Sequence, residues 1–191
     1  MVYLSLTGAV VCSLLCFRAS DIKSIVAYSS VVHRGTTTLG ALSGLELGVF
    51  VALGILITHS LLSPLLFILA FELYCSNSSR RYIHAHSSSL SGPILFLIAL
   101  ICGLSFGLPP SLGFWVEVSL FRCLGVVFSS SLLLLGLASF LVFLYCLRFY
   151  VSSVAGSFDS SIATLRHLYL YIPGSFLSLL LPISSSVFSF N

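Results

Sequence analysis

Two side chains in this sequence combine a titratable group with an apolar setting, His59 and Glu117, and a third titratable group, His33, stands in a polar one. His59 lies in the apolar run from Leu47 to Tyr74 and is the only titratable group between Glu46 and Glu72, each 13 residues away. At about 1.5 Å per helical residue, each carboxylate stands roughly 20 Å from the histidine. The hydrocarbon core of a bilayer is about 30 Å thick, so both glutamates reach an interface and His59 falls near the midplane. A titratable residue at that depth is costly and marks a functional site by default. The alternative is a neutral histidine bonded to a neighbouring helix or a water. Glu117 sits in GFWVEVSLF, a lone carboxylate among apolar neighbours and a candidate for proton exchange near neutrality. Its alternative is a structural carboxylate paired with a basic residue such as Arg122. His33 belongs to the polar stretch DIKSIVAYSSVVHRG.

Other constellations carry little chemistry. His84 and His86 form a loop pair with no third ligand nearby, so no metal site is expected. Cys12 and Cys16 share a helix face, which reads as packing, and there is no C-x-x-C. No nucleophile–base pair and no glycine-rich phosphate loop is legible, so no catalytic residue is assigned.

The elements that position these groups follow from composition. The chain has 191 residues, 58% of them hydrophobic and 7% charged, which is the signature of an all-α polytopic membrane protein. At about 20 apolar residues per span, six helices fill the length as a single membrane domain. The net charge of +3 is scattered at helix ends, which excludes a nucleic-acid surface. No cleavable signal peptide is evident. Expected helices cover about 2–17, 21–41, 45–75, 93–107 with 111–124, 132–150 and 165–183, with polar loops at 76–92 and 151–164. Ser20-Asp21 reads as an N-cap with an acidic first turn behind it.

The second helix is unusually polar and must face protein or water. Pro64, five residues beyond His59, predicts a kink or π-bulge beside the histidine. Gly107-Leu-Pro-Pro-Ser-Leu-Gly113 interrupts the fourth element. Adjacent prolines Pro109 and Pro110 cannot sit in a regular helix, so this reads as a discontinuous membrane helix with Glu117 just after the break. Arg18, Lys23, Arg80, Arg81, Arg148 and Arg166 fall on one side of the membrane, against Arg34 and Arg122 on the other. That bias puts the first side in the cytoplasm or matrix and both termini opposite. Arg34 is also a candidate for a position within the membrane.

Three blocks carry a resemblance: Asp21-Ile-Lys23 with Ala27-Tyr-Ser-Ser30 and His33; His59-Ser-Leu with Leu65-Leu-Phe67; and Leu108-Pro-Pro110 with Gly113-Phe114 and Glu117. In that order they resemble subunit 4 of NADH dehydrogenase, an antiporter-like proton-pumping subunit of respiratory complex I. The first block is shared with subunits 2 and 5 and with cation/proton antiporters. A glutamate at Glu117 is similar to subunit 4. The resemblance covers residues 2 to about 183 and matches the last six of about fourteen helices, as a C-terminal fragment of a split or truncated subunit. Arg34 and Pro64 depart from the family pattern.

The resemblance implies a relay of His33, His59 and Glu117 along a hydrated axis, with Lys23, Pro64, Pro109 and Pro110 in supporting places. It implies proton translocation coupled to NADH:ubiquinone oxidoreduction, with no redox chemistry in this chain. FMN, iron–sulfur clusters and quinone would belong to other subunits. Implied partners are antiporter-like subunits 2 and 5, a separate chain supplying the N-terminal helices, and lipid. The implied location is the mitochondrial inner membrane, with the termini on the intermembrane-space side; the absence of Gln and the single Lys hint at a biased organelle genome. The rival readings are a purely structural membrane-arm fragment and part of a cation/proton antiporter.

Overall fold

Long apolar runs broken by short polar turns leave helices as the economical way to satisfy the backbone, because each helix bonds its own amides and carbonyls. A computed structural model describes residues 1–77, 92–109 and 111–155. These form α1 (Val2–Arg18), α2 (Ile22–Leu42), α3 (Glu46–Asn77), α4 (Gly92–Ser105), α5 (Leu112–Val127) and α6 (Leu132–Ala155), with a 3-10 turn at Ser129–Ser131 before α6. No β-strand occurs among the described residues. The stretches over Glu46–Cys75 and Ser129–Val151 are long and apolar enough to cross a membrane. The expected helix at 165–183, the residues His84, His86 and Pro110, and most of both polar loops lie outside the described residues.

Several boundaries differ from the sequence expectation. Asp21 is itself the N-cap of α2 and makes no side-chain cap bond, so the acidic residue precedes the first turn. α3 runs unbroken through Pro64, without the expected π-bulge. Proline frees the carbonyl of Ser60, four residues back. Both residues are exposed, so the lost bond faces outward rather than toward the helix neighbours. α6 is described as far as Ala155, past the expected loop start at 151.

α1 packs on α2 and α6, α2 on α3, α3 on α4 and α5, and α4 on α6, which closes the helices into a ring. Two apolar clusters fill it at different depths. One joins Cys16, Ile22, Ile25, Leu69, Leu73, Ile98, Ile101 and Phe149. The other joins Leu6, Leu39, Val51, Leu112, Val116, Leu124 and Leu135. Arg18, Lys23 and Arg148 stand toward the first cluster's end, where the Arg148 guanidinium donates to the Phe17 carbonyl and lies 5.3 Å from the Phe17 ring centroid.

Candidate proton-handling site

α2, α3, the α4–α5 break and α6 each deliver polar residues to one cavity. On α2 the buried residues Ile22, Ile25, Val26, Ser29, Val32, Leu39 and Gly40 recur at helical spacing. That spacing turns Ser29, His33 and Thr36 inward and leaves Tyr28, Arg34 and Thr38 exposed. The Thr36 and Thr37 hydroxyls both donate to the His33 carbonyl oxygen at 2.8 Å, and Thr58 Oγ1 donates to Gly54 and Ile55. These bonds within one helix turn satisfy the hydroxyl donors and leave oxygen lone pairs free to accept.

His33 and His59 meet across the α2–α3 seam, with ring centroids 5.3 Å apart and planes tilted by 51°. Two imidazoles at that separation in a confined space hold one added proton far more readily than two, because like charges repel strongly away from bulk water. Arg34, next to His33 in sequence, turns outward.

The third group comes from the break between α4 and α5. α4 ends in a Schellman arrangement: the Leu108 amide donates to the Gly103 carbonyl and the Gly107 amide to the Leu104 carbonyl. This requires a left-handed residue, and Gly107 takes φ +78°. Ser111 then caps α5, its hydroxyl accepting from the Phe114 amide. Several of the backbone groups freed by the interruption are thus bonded locally. Glu117, one and a half turns into α5, folds back on the break: a methyl on Gly107 would lie 3.4 Å from the Glu117 Cδ and Oε2. Arg122 is exposed and forms no ion pair with Glu117, so the structural pairing weighed from the sequence is not present.

All three titratable residues line one cavity of about 60 Å³, between α2, α3, the α4–α5 break and α6. A water needs at least about 10–15 Å³, so a short chain of waters fits. Ser29, Thr36, Thr58, Ser63, Ser105 and Ser139 add hydroxyls to its wall. Lys23 is not part of it: the side chain is exposed at the start of α2, its Nζ 6.0 Å from the Tyr74 ring centroid. Pro64 and Pro109 are exposed. Sequence reading missed Thr58, Ser105 and Ser139, and the contact between Gly107 and Glu117. Among the described residues no cluster of three His, Cys, Asp or Glu side chains could hold a metal ion.

The sequence profile of the family described as NADH:quinone oxidoreductase/Mrp antiporter, transmembrane, matches residues 1–148. NADH-ubiquinone oxidoreductase chain 4 of Lumbricus terrestris is 36% identical over 155 residues, which covers 78% of this chain and 33% of that one. Chain 4 of Anopheles arabiensis is 32% identical over 159 residues, covering 83% and 72%. Among solved structures, a chain of respiratory complex I from Thermus thermophilus with bound NADH superposes with a TM-score of 0.82 at 23% identity, over 96% of this chain and 40% of that one. That likeness is one of fold. The chain spans about a third of the length of the first curated relatives it matches. With residues 1–148 matched and chain 4 relatives at a third identity, this chain belongs to the NADH:quinone oxidoreductase/Mrp antiporter transmembrane family, alongside chain 4 of NADH-ubiquinone oxidoreductase.

Proposed function

We propose that this chain is part of a proton-translocating subunit in the membrane arm of an NADH:ubiquinone oxidoreductase. The observation that carries this reading is the single cavity lined by His33, His59 and Glu117 in a chain of this family. His33 and His59 pass a proton between imidazoles, and Glu117 takes it at the break, toward an exit or the next subunit. Protonation of one group changes the field at the others, because the setting screens charge poorly. Conformational or charge changes elsewhere in the complex thereby drive proton release here. No bond to a redox group is made or broken in this step. Flavin, iron–sulfur clusters and quinone act in other subunits.

The partners in this reading are the antiporter-like subunits 2 and 5 and lipid. The outward face of α2 supports a protein neighbour: it presents Arg34 in mid-helix, where lipid contact is costly. The location is the mitochondrial inner membrane, with the Arg18–Lys23 end in the matrix and Met1 on the intermembrane-space side, following the basic-residue bias.

Native gels of the membranes, with mass spectrometry of the bands, test the assembly. The chain should comigrate with NADH-oxidising activity in a large complex. Migration alone or with a small antiporter overturns the assignment. Glu117→Gln tests the chemistry, because it keeps shape and removes charge. NADH-driven proton pumping should fall in an assembled complex, and unchanged pumping would overturn the role of Glu117.

A further inference from the structure

A second, smaller cavity of about 20 Å³ adjoins the first and shares Ser29, His33, Leu66 and Ser105 with it. Its far wall is made by Cys102, Tyr145, Cys146 and Phe149. Tyr145 is 5% exposed, and its hydroxyl, which faces the weakly accepting Cys146 sulfur, is the one buried side-chain oxygen or nitrogen among the described residues without a hydrogen-bond partner of normal geometry. A buried tyrosine hydroxyl ordinarily finds a partner, and an orphaned one calls for an unseen water or ion. The space is large enough for one water, which needs at least about 10–15 Å³, and within a mostly apolar wall Ser29, His33, Ser105 and Tyr145 offer it polar partners.

The hydroxyls nearby are already committed as donors and remain available as acceptors. Ser29 Oγ donates to the Val26 carbonyl at 2.7 Å, and Ser105 Oγ donates to the Cys102 carbonyl at 2.8 Å. Ser105 Oγ also lies 3.4 Å from Cys146 Sγ. A water in this space accepts from the Tyr145 hydroxyl and donates to the serine oxygens or to an unprotonated His33 nitrogen.

We propose that Tyr145 and this cavity hold a water that forms a side branch of the titratable belt, leading from His33 toward the end of the molecule that carries Arg18, Lys23 and Arg148. The direction comes from the residues around it. Ile25 and Val26 are in the first turns of α2, and Phe149 lies next to Arg148 on α6. The branch rests on the proton-handling reading above. In the step it supports, a proton from the aqueous phase binds the water. The water then passes one of its original protons to His33; one O–H bond breaks, one N–H bond forms and the water is restored. Tyr145 positions the water and is not consumed.

The test is Tyr145→Phe in the assembled complex, which removes one oxygen and no ring. The expected result is unchanged NADH oxidation with proton pumping lowered about twofold or more, together with loss of an isolated water O–H stretch in infrared difference spectra. Cys102→Leu fills the same space while keeping Tyr145, and should give the same two losses; it decides the matter if Tyr145→Phe fails to assemble. Glu117→Gln is measured beside them. Loss in Glu117→Gln with neither loss in Tyr145→Phe or Cys102→Leu overturns the branch and keeps the belt. No loss in any of the three overturns both. Loss in the branch variants alone supports the branch and removes Glu117 from the path.

Discussion

The α2–α3 pair and the α4–α5 element bring titratable groups to the same cavity by opposite means. α2 and α3 stay continuous and carry their histidines on inward faces at mid-helix, with threonine hydroxyls turned back on their own carbonyls. The other element is interrupted at the cavity itself. Its two helix ends are closed by Gly107 and capped by Ser111, and Glu117 folds against the break. A neutral imidazole is tolerated in an unbroken apolar helix if a neighbour approaches it, and here that neighbour is the other imidazole. A carboxylate demands more polarity, and the broken helix supplies backbone dipoles at the point where it sits.

The largest expected effect comes from treating the two regions as one unit. His59→Ala and Glu117→Gln should each slow proton transfer on the order of a hundredfold. Combined, they should cost little more than either alone, since groups acting in one path are strongly non-additive. NADH-driven proton uptake in sealed vesicles, with complex content matched by native gel, measures this. Effects that simply add would separate the histidine pair from the carboxylate and break the comparison into two unrelated sites.

Gly107→Ala comes next. A non-glycine residue in the left-handed region costs about 1–2 kcal/mol. The added methyl would also sit 3.4 Å from the Glu117 carboxylate. Lower thermal stability of the assembled complex and a partial loss of pumping are expected together. Ser111→Ala removes the α5 cap and should cost about 1 kcal/mol with a smaller effect on pumping. A Ser111→Ala variant that loses as much pumping as Gly107→Ala would mean that the helix end, rather than the contact with the carboxylate, sets the site.

Much of this arrangement was legible in the sequence, and the reason differs between the regions. His59 announced itself by its distance from two flanking glutamates, and His33 stood in an unusually polar helix and entered through the resemblance. The break announced itself through two prolines, although its turn rests on Gly107 rather than on proline: a positive φ leaves no trace in hydropathy, and glycine has many uses. Lys23 belongs to the same sequence block as His33, yet ten residues along a helix place it outside the cavity. The serine and threonine belt was hidden by the abundance of both residues, because periodicity within one helix does not say which hydroxyls share a depth with those of the next. Tyr145 lay in an unremarked apolar run, and only the packing of α6 on α4, across a small cavity from α2, made its hydroxyl conspicuous.

The smallest expected effect sharpens the contrast most directly. Proline within a membrane helix suggests a designed irregularity, and Pro64 stands one turn beyond His59. If α3 is functionally continuous, Pro64 positions nothing at the cavity. It is exposed, as is Ser60, whose carbonyl it deprives of a donor. Pro64→Ala restores that bond and improves helix propensity, so stability of the complex should rise slightly or hold, and pumping should stay within error of the parent. A clear fall in pumping with assembly intact would show that the residue steers His59 from the outside. The histidine would then depend on an interrupted helix, as the carboxylate does, and the two regions would be variants of one device rather than opposites.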